Sequence, residues 1–372
     1  MKPAPGFGII RAMKTVAEFS IQYRQVLNEH GELVSPLPRF AEDAQELVRM
    51  YRMMCLVRAF DTKCINLQRT GQLGTYPSCI GHEATHVAVG AAMRPEDVLA
   101  PVYRELGTQL LRGVSMAEIL RYWGGDEAGN DFAVPRADFP WCIPIATQTL
   151  HAAGAAMAFK VRQEARCALA YIGDGGTSEG AFYEAINLAG VRKLPVVFVI
   201  VNNGWAISVP LHVQTATATL AQKAIAAGIE GVQVDGNDVL AVRAVVSEAL
   251  EAARLGRGPT LIEALTYRLS DHTTADDASR YRSEAEVKQA WSREPLKRLR
   301  GYLTRTGHWD AAQEAALEAD FARQIEAAVA EYQAFAKATT DAMFDHLFAA
   351  LPPHLEAQRA VARKYSSKNS GH

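Results

Sequence analysis

Residues 167–203 read CALAYIGDGGTSEGAFYEAINLAGVRKLPVVFVIVNN, and this stretch decides the fold. Cys167-Ala-Leu-Ala-Tyr-Ile172 is an apolar run without polar alternation, the pattern of a strand buried on both faces. Gly173-Asp174-Gly175-Gly176 interrupts it, and Thr177 or Ser178 is expected to cap a helix that runs to about Lys193. Val196 to Val201 is a second buried strand and runs straight into Asn202-Asn203-Gly204. Strand, helix and strand predict a right-handed parallel unit. Ligands of such sheets bind beyond the carboxyl ends of the strands, so Asp174 and Asn203 are expected to meet at one rim. A carboxylate and an amide oxygen suit Mg²⁺, which prefers oxygen ligands. The glycines let the backbone approach a diphosphate, and a helix N-terminus adds N–H donors. Taken singly, each motif reads as a turn. Their coincidence at consecutive strand ends favours a site.

Outward from this unit, Gly231 to Val234 and Thr260 to Thr266 read as third and fourth strands, with helical spacing between them. The expected class is α/β, a doubly wound parallel sheet with helices on both faces. Upstream, apolar residues from Ala41 to Gln68 recur at helical spacing and end at Gly71 and Gly74. Gly81-His82-Glu83 opens another helix, and Ser115 with Glu118 forms a capping box for a third. Ser283 and Glu286 form a second box, after which the chain is Ala/Glu-rich and helical to about Leu351. The expected division is an N-terminal arm (1–45), an α/β domain (46–300) and a helical C-terminal extension (301–372), with a disordered tail from Ser366.

Of 372 residues, 49% are apolar and 22% charged, which is ordinary globular composition. A formal charge of −2 offers no bulk basic field for nucleic acid. The longest apolar run, Leu194 to Val201, is too short to span a membrane. Five cysteines without a Cys-x-x-Cys pair argue against a disulfide framework or a structural zinc site. The early cations Lys2, Arg11 and Lys14 are not followed by an apolar core and a small-residue cleavage site, so the cytoplasm is the expected compartment.

Gly173-Asp174-Gly175 followed by Asn202-Asn203 resembles the thiamine diphosphate signature, and Gly173 to Pro210 resembles the alpha subunit of the decarboxylating component of pyruvate and branched-chain 2-oxo acid dehydrogenase complexes. The resemblance extends over nearly the whole chain. It includes Gly71-Gln-Leu-Gly-Thr-Tyr76, Tyr103-Arg104-Glu105, Val234-Asp-Gly-Asn-Asp238, Tyr267-Arg268 and Asp271-His-Thr-Thr-Ala-Asp-Asp277. It implies the thiamine diphosphate-binding fold, with Asp174, Asn203 and the carbonyl of Trp205 as Mg²⁺ ligands. By the same resemblance Tyr103 and Arg104 reach the diphosphate, and Ile143 and Ile145 contact the aminopyrimidine and thiazolium rings. Gly173, Gly175, Gly176 and Ala206 would lie against the cofactor. His272, the expected catalytic residue, matches a family histidine on a loop beside the thiazolium, where it would hold the diphosphate or the reaction intermediate; Thr273 follows it, on a loop that carries regulatory phosphoserines in mitochondrial relatives. Pro144-Ile-Ala-Thr-Gln148 resembles the potassium loop of the branched-chain enzymes, with Thr147, Gln148 and the carbonyls of Cys142 and Pro144 as K⁺ ligands. Val201 stands where animal branched-chain enzymes have a phosphate-binding arginine, and Asp271 where some relatives have histidine or glycine.

His82 and His86, four residues apart, lack a third ligand at useful spacing and read as packing and hydrogen-bonding residues. His151 reads as core or interface, in a helix whose small residues suit packing against a partner chain. The resemblance further implies oxidative decarboxylation of a 2-oxo acid, with pyruvate expected and branched-chain acids as the alternative. The catalytic glutamate would come from a beta subunit in an α₂β₂ tetramer, and the acyl group would pass to a lipoyl domain of the acyltransferase core. Two rivals remain: a nicotinamide dehydrogenase, disfavoured because Ser178 replaces the third glycine of Gly-x-Gly-x-x-Gly, and a non-catalytic binding subunit.

Overall fold

A computed structural model describes residues 14–366. In chain order the strands are β1 (Gln22–Arg24), β2 (Val98–Ala100), β3 (Ala168–Gly173), β4 (Val196–Asn202), β5 (Trp205–Ala206), β6 (Val209–Pro210), β7 (Glu230–Asp235) and β8 (Thr260–Leu265). The helices preceding β4 are α1 (Ala44–Arg69), α2 (Glu83–Ala92), α3 (Leu106–Arg112), α4 (Met116–Trp123), α5 (Thr147–Arg162) and α6 (Gly180–Arg192). Those following are α7 (Leu211–Gln214), α8 (Lys223–Ala227), α9 (Val239–Arg254), α10 (Glu284–Ser292), α11 (Pro295–Arg305), α12 (Ala311–Ala334), α13 (Ala342–Asp345) and α14 (Pro353–Ser366). No helix among the described residues is long and apolar enough to cross a membrane.

Six strands form one sheet in the order β1-β7-β8-β4-β3-β2, every pair parallel. Strand β3 explains why its sequence shows no alternation. Leu169 and Tyr171 enter the core under α1, α2 and α9, whereas Ala168, Ala170 and Ile172 enter the one under α5 and α6. Both faces are dry, so both residue sets must be apolar. Strand β4 divides in the same way, Val197 and Val199 against Phe198 and Ile200.

The segment expected to be an arm supplies the sheet's edge strand β1. Asp238 holds it there, its carboxylate accepting the N–H groups of Val26 (2.6 Å) and Leu27 (2.7 Å) while also capping α9. Strand β2 was not expected either; three residues are too few for a periodic signal. The expected caps Thr177 and Ser178 are corrected: residues 175–178 form a 3₁₀ turn, and α6 begins at Gly180 without a side-chain cap. Ser115 and Glu118 do form the predicted box. Ser283 caps α10, but the Glu286 side chain accepts instead from Trp205 Nε1 (3.0 Å) and the Tyr267 hydroxyl (2.8 Å). The C-terminal helical run breaks after Ala334. Ser366 ends α14, and the tail expected beyond it lies outside the described residues.

Candidate functional site

Register brings the two motifs together. Gly173 at the end of β3 pairs with Val201 in β4, so Asp174 and Asn203 emerge side by side at the sheet's carboxyl edge. The turn between β3 and α6 is braced from within. Thr177 Oγ1 donates to the Asp174 carbonyl (2.7 Å), and the buried Lys223 ammonium donates to both oxygens of Thr177 (2.7 and 2.8 Å). Asp174 is 2% exposed, and burial pushes its carboxyl above the usual range although Gln214 Nε2 donates to Oδ2 (3.0 Å). Asn203 is also buried, its Oδ1 accepting from Trp205 N (3.1 Å). Glycine is needed at 175 and 176, where a Cβ would lie 2.5 Å from Ala206 Cβ and 2.8 Å from Ile172 Cγ1 respectively.

Beyond this edge lies a cavity of about 280 Å³. Arg104, Arg268 and His272 line it. Arg104 Nη2 donates to the His272 carbonyl (3.0 Å) and faces its Nδ1 (3.3 Å), while Nη1 grips the Ser78 carbonyl. Arg268 faces the same Nδ1 (3.3 Å) and donates to the Ile207 carbonyl (2.7 Å) and the Tyr281 hydroxyl (2.8 Å). Guanidinium groups only donate, so Nδ1 must accept and the ring is neutral with its proton on Nε2. Burial, then the two guanidinium charges, push the His272 pKa down to about 4. Glu105 Oε2 accepts the N–H groups of Val102 (2.9 Å) and Arg104 (3.1 Å), and burial pushes its carboxyl up to about 7.

Most residues expected at the site line this one cavity: Tyr103, Arg104, Ile145, Gly173, Asp174, Gly175, Gly176, Asn203, Trp205, Ala206 and His272. Ile143 does not. It faces a neighbouring hollow of about 570 Å³ together with Cys142 and Pro144, and at 48% exposure it is not core. In the segment expected to hold K⁺, Gln148 Nε2 donates to the Tyr171 carbonyl (2.7 Å), leaving its buried Oε1 without a partner. Thr147 donates its backbone N–H to the Pro144 carbonyl (3.4 Å). Among the described residues no cluster of three or more His, Cys, Asp or Glu could hold a metal. A cation here would need a mixed oxygen set, which suits a hard ion such as Mg²⁺.

Several residues lining the cavity escaped the sequence reading. Arg268 belongs to a quoted motif but received no role, although it is fully buried beside His272. His82 and His86 were read as packing and hydrogen-bonding residues, yet both line the cavity and none of their ring nitrogens is hydrogen-bonded. Their spacing at a helix start was the available signal. His151, read as core or interface, is exposed and stacks on Phe139 at 5.4 Å.

A parallel sheet whose adjacent strand ends present a buried carboxylate, an amide and a glycine turn to a cavity edged by two arginines defines an α/β protein with a polar-ligand site. The model of the dehydrogenase E1 component family matches residues 51–341, and the chain belongs to that family. It is accordingly an oxidoreductase of the 2-oxo acid dehydrogenase class, and membership implies use of thiamine diphosphate. The chain is 44% identical over 317 residues to a 3-methyl-2-oxobutanoate dehydrogenase subunit alpha of Mycobacterium tuberculosis, covering 84% of this chain and 86% of the relative. It is 38% identical to pyruvate dehydrogenase E1 component alpha subunits of Acholeplasma laidlawii (91% of this chain, 99% of the relative) and Bacillus subtilis (92% and 93%).

Proposed function

We propose that this chain is the alpha subunit of an α₂β₂ 2-oxo acid dehydrogenase that decarboxylates pyruvate and passes the acyl group to a lipoyl domain of an acyltransferase core. The observation that carries this reading is the buried Asp174 carboxylate beside Asn203 at adjacent parallel strand ends, facing a cavity edged by Arg104, Arg268 and His272. Two pyruvate dehydrogenase relatives matched over almost their full length favour pyruvate. The 44% identity to a 3-methyl-2-oxobutanoate dehydrogenase subunit favours branched-chain acids as the second reading.

In this reading Asp174, Asn203 and the Trp205 carbonyl hold Mg²⁺. A cation relieves the unfavourable burial of the Asp174 carboxylate by replacing the water it has lost. Arg104 and Tyr103 take the diphosphate oxygens, Arg104 in the fork geometry that suits phosphate. Gly173, Gly175 and Gly176 leave room for the backbone to approach, while Ile143, Ile145 and Ala206 offer apolar contact to the rings. His272 presents a neutral ring whose Nε2 holds a proton to donate. The partnerless Oε1 of Gln148 supports a K⁺ site with Thr147 and the carbonyls of Cys142 and Pro144. Bound thiamine diphosphate supplies the electron sink that lets CO₂ leave a 2-oxo acid.

The described residues build one six-stranded sheet, so the beta subunit is assigned the second sheet domain and the carboxylate that activates the aminopyrimidine. Residues 46–300 are assigned to the cofactor domain and the described residues from 301 onward to the helical extension, while the segment expected as an arm lends β1 to the sheet. Five unpaired cysteines support a reducing compartment, the cytoplasm. The test is co-expression with the beta subunit, assayed with thiamine diphosphate, Mg²⁺, an artificial electron acceptor, and pyruvate or 3-methyl-2-oxobutanoate. Turnover should require both chains and vanish in Asp174→Ala, and the faster acid names the substrate. A well-formed tetramer inactive on both acids would exclude the proposed substrates.

A further inference from the structure

Gln214 ends the four-residue helix α7, which leaves the β5–β6 hairpin at Pro210 and is tied back to it where Leu211 N donates to the Gly204 carbonyl (3.0 Å). That tether brings its half-buried side chain to the turn that follows β3. Its Nε2 donates to Asp174 Oδ2 (3.0 Å) and to the Val209 carbonyl (2.9 Å). Both partners are acceptors, so the amide can face them only with its nitrogen, and both of its N–H bonds are engaged. Its Oε1 is left buried without a partner. An unsatisfied buried acceptor costs stability, and the fold tolerates it here to keep the donors between the carboxylate and the hairpin.

The amide therefore clamps together two segments of the site. Asp174 follows β3, lines the cavity and keeps 2% exposure, and the hairpin carries Trp205, which lines the same cavity. Among the described residues no other side chain donates a hydrogen bond to the Asp174 carboxylate. With one oxygen engaged by the amide, the carboxylate has its second to offer to a cation. Mg²⁺ is small and demands near-ideal octahedral geometry, which the narrow bite of a bidentate carboxylate fits poorly. Ca²⁺ accepts more oxygens and binds a carboxylate through one or both. Partners that orient a ligand without touching the metal typically change its affinity by about 10–100-fold.

We infer that Gln214 is a positioning residue: by holding Asp174 Oδ2 and the Val209 carbonyl together it makes Asp174 a one-oxygen ligand fixed against the Trp205 hairpin, and so selects Mg²⁺ over Ca²⁺. This rests on Asp174 and the Trp205 carbonyl being the cation ligands of the site. The test is calorimetric titration of Mg²⁺, and separately of Ca²⁺, into the metal-free alpha–beta enzyme in saturating thiamine diphosphate. Wild type should bind Mg²⁺ the more tightly. Gln214→Met, which keeps the length and loses the donors, should weaken Mg²⁺ by about tenfold or more and Ca²⁺ by less, because a released carboxylate can offer Ca²⁺ both oxygens. Gln214→His, with a ring N–H at similar reach, should recover part of the preference. Gln214→Asn, too short to span the gap, carries the test should Gln214→Met fail to assemble. A wild type without preference, Ca²⁺ weakened as much as Mg²⁺, or neither weakened, overturns the inference; equal loss would mark a residue that only supports the fold. Asp174→Ala separates the two readings. If it abolishes binding of both cations while Gln214→Met behaves as wild type, the metal-site reading stands and the Gln214 assignment falls. A wild type with no saturable Mg²⁺ binding overturns both.

Discussion

Asp174 takes its chemistry from its surroundings as much as from its side chain. Burial raises its carboxyl, and Gln214 supplies one hydrogen bond where bulk water would supply several. The adjoining glycines keep that carboxylate within reach of a ligand. At Gly175 an added Cβ would meet Ala206 Cβ at 2.5 Å, and a Cβ rooted in the backbone cannot swing aside as a side-chain tip can. Gly175→Ala should therefore displace the segment carrying the Trp205 carbonyl, destabilise the fold by about 1–3 kcal/mol through overpacking, and weaken Mg²⁺-dependent cofactor binding. Thermal unfolding together with calorimetry checks both parts. Unchanged affinity in a folded variant would show that the 205–206 segment adapts. His86 yields a sharper residue-level test. Burial pushes its pKa down to about 3, so the unfolded chain takes up a proton below about pH 6.5 that the folded chain refuses. Its contribution to stability is complete above pH 6.5 and is lost as pH falls toward 3. Glu105, raised to about 7, and Asp238, raised to about 6, act in the opposite sense on acidification. They cancel when wild type is compared with His86→Leu. Urea titrations of the pair should show the stability difference shifting against wild type by about 1.4 kcal/mol per pH unit between pH 6 and 4. A constant difference would mean that His86 titrates normally.

Between elements, the loop carrying His272 is held by a chain of contacts that begins in α1. Asp61 is fully buried and accepts from the Tyr76 hydroxyl (2.9 Å), Ser78 Oγ (2.6 Å) and Cys79 N (2.8 Å). The segment it fixes then pairs with the His272 loop: Thr274 N donates to the Tyr76 carbonyl (2.9 Å), Tyr76 N to Thr274 Oγ1 (3.0 Å) and Leu269 N to the Ile80 carbonyl (3.0 Å). Arg104 closes the circuit by holding both the Ser78 and His272 carbonyls. Removing Asp61 would strand three buried donors. Asp61→Ala should cost about 3 kcal/mol or more and speed hydrogen exchange across residues 270–280 beyond the global effect. Exchange rising evenly over the chain would show that Asp61 supports the core alone. This circuit spans α1, the 76–81 loop and the 266–276 loop, which lie far apart in sequence. Spacing identifies the His272 motif but cannot reveal what holds it.

At the scale of the molecule, the sheet order β1-β7-β8-β4-β3-β2 places β3 and β4 beside each other near its middle, with the site at their shared carboxyl edge. That centre was legible because its determinants are local. A strand buried on both faces must be apolar throughout, and a backbone that turns sharply beside a ligand needs glycine. Asp174 and Asn203 follow from those two facts and from a parallel crossover. The edges were not legible. Strands β1 and β2 are three residues each, and β1 depends on Asp238, more than two hundred residues downstream, to accept its following N–H groups. The turn at residues 175–178 closes on the Asp174 carbonyl, which accepts from both the N–H and the hydroxyl of Thr177, and α6 starts only at Gly180, so neither expected residue stands at the helix's cap position. The sequence alone thus determined the α/β class, the parallel central strands and the carboxylate–amide pair at their ends, because each depends on near neighbours. Only the tertiary structure decided that Arg104 and Arg268 hold one nitrogen of His272, that Ile143 faces a different hollow, and that the buried His82 and His86 border the same cavity as His272. Those are relations between side chains whose distances the chain's local preferences do not encode.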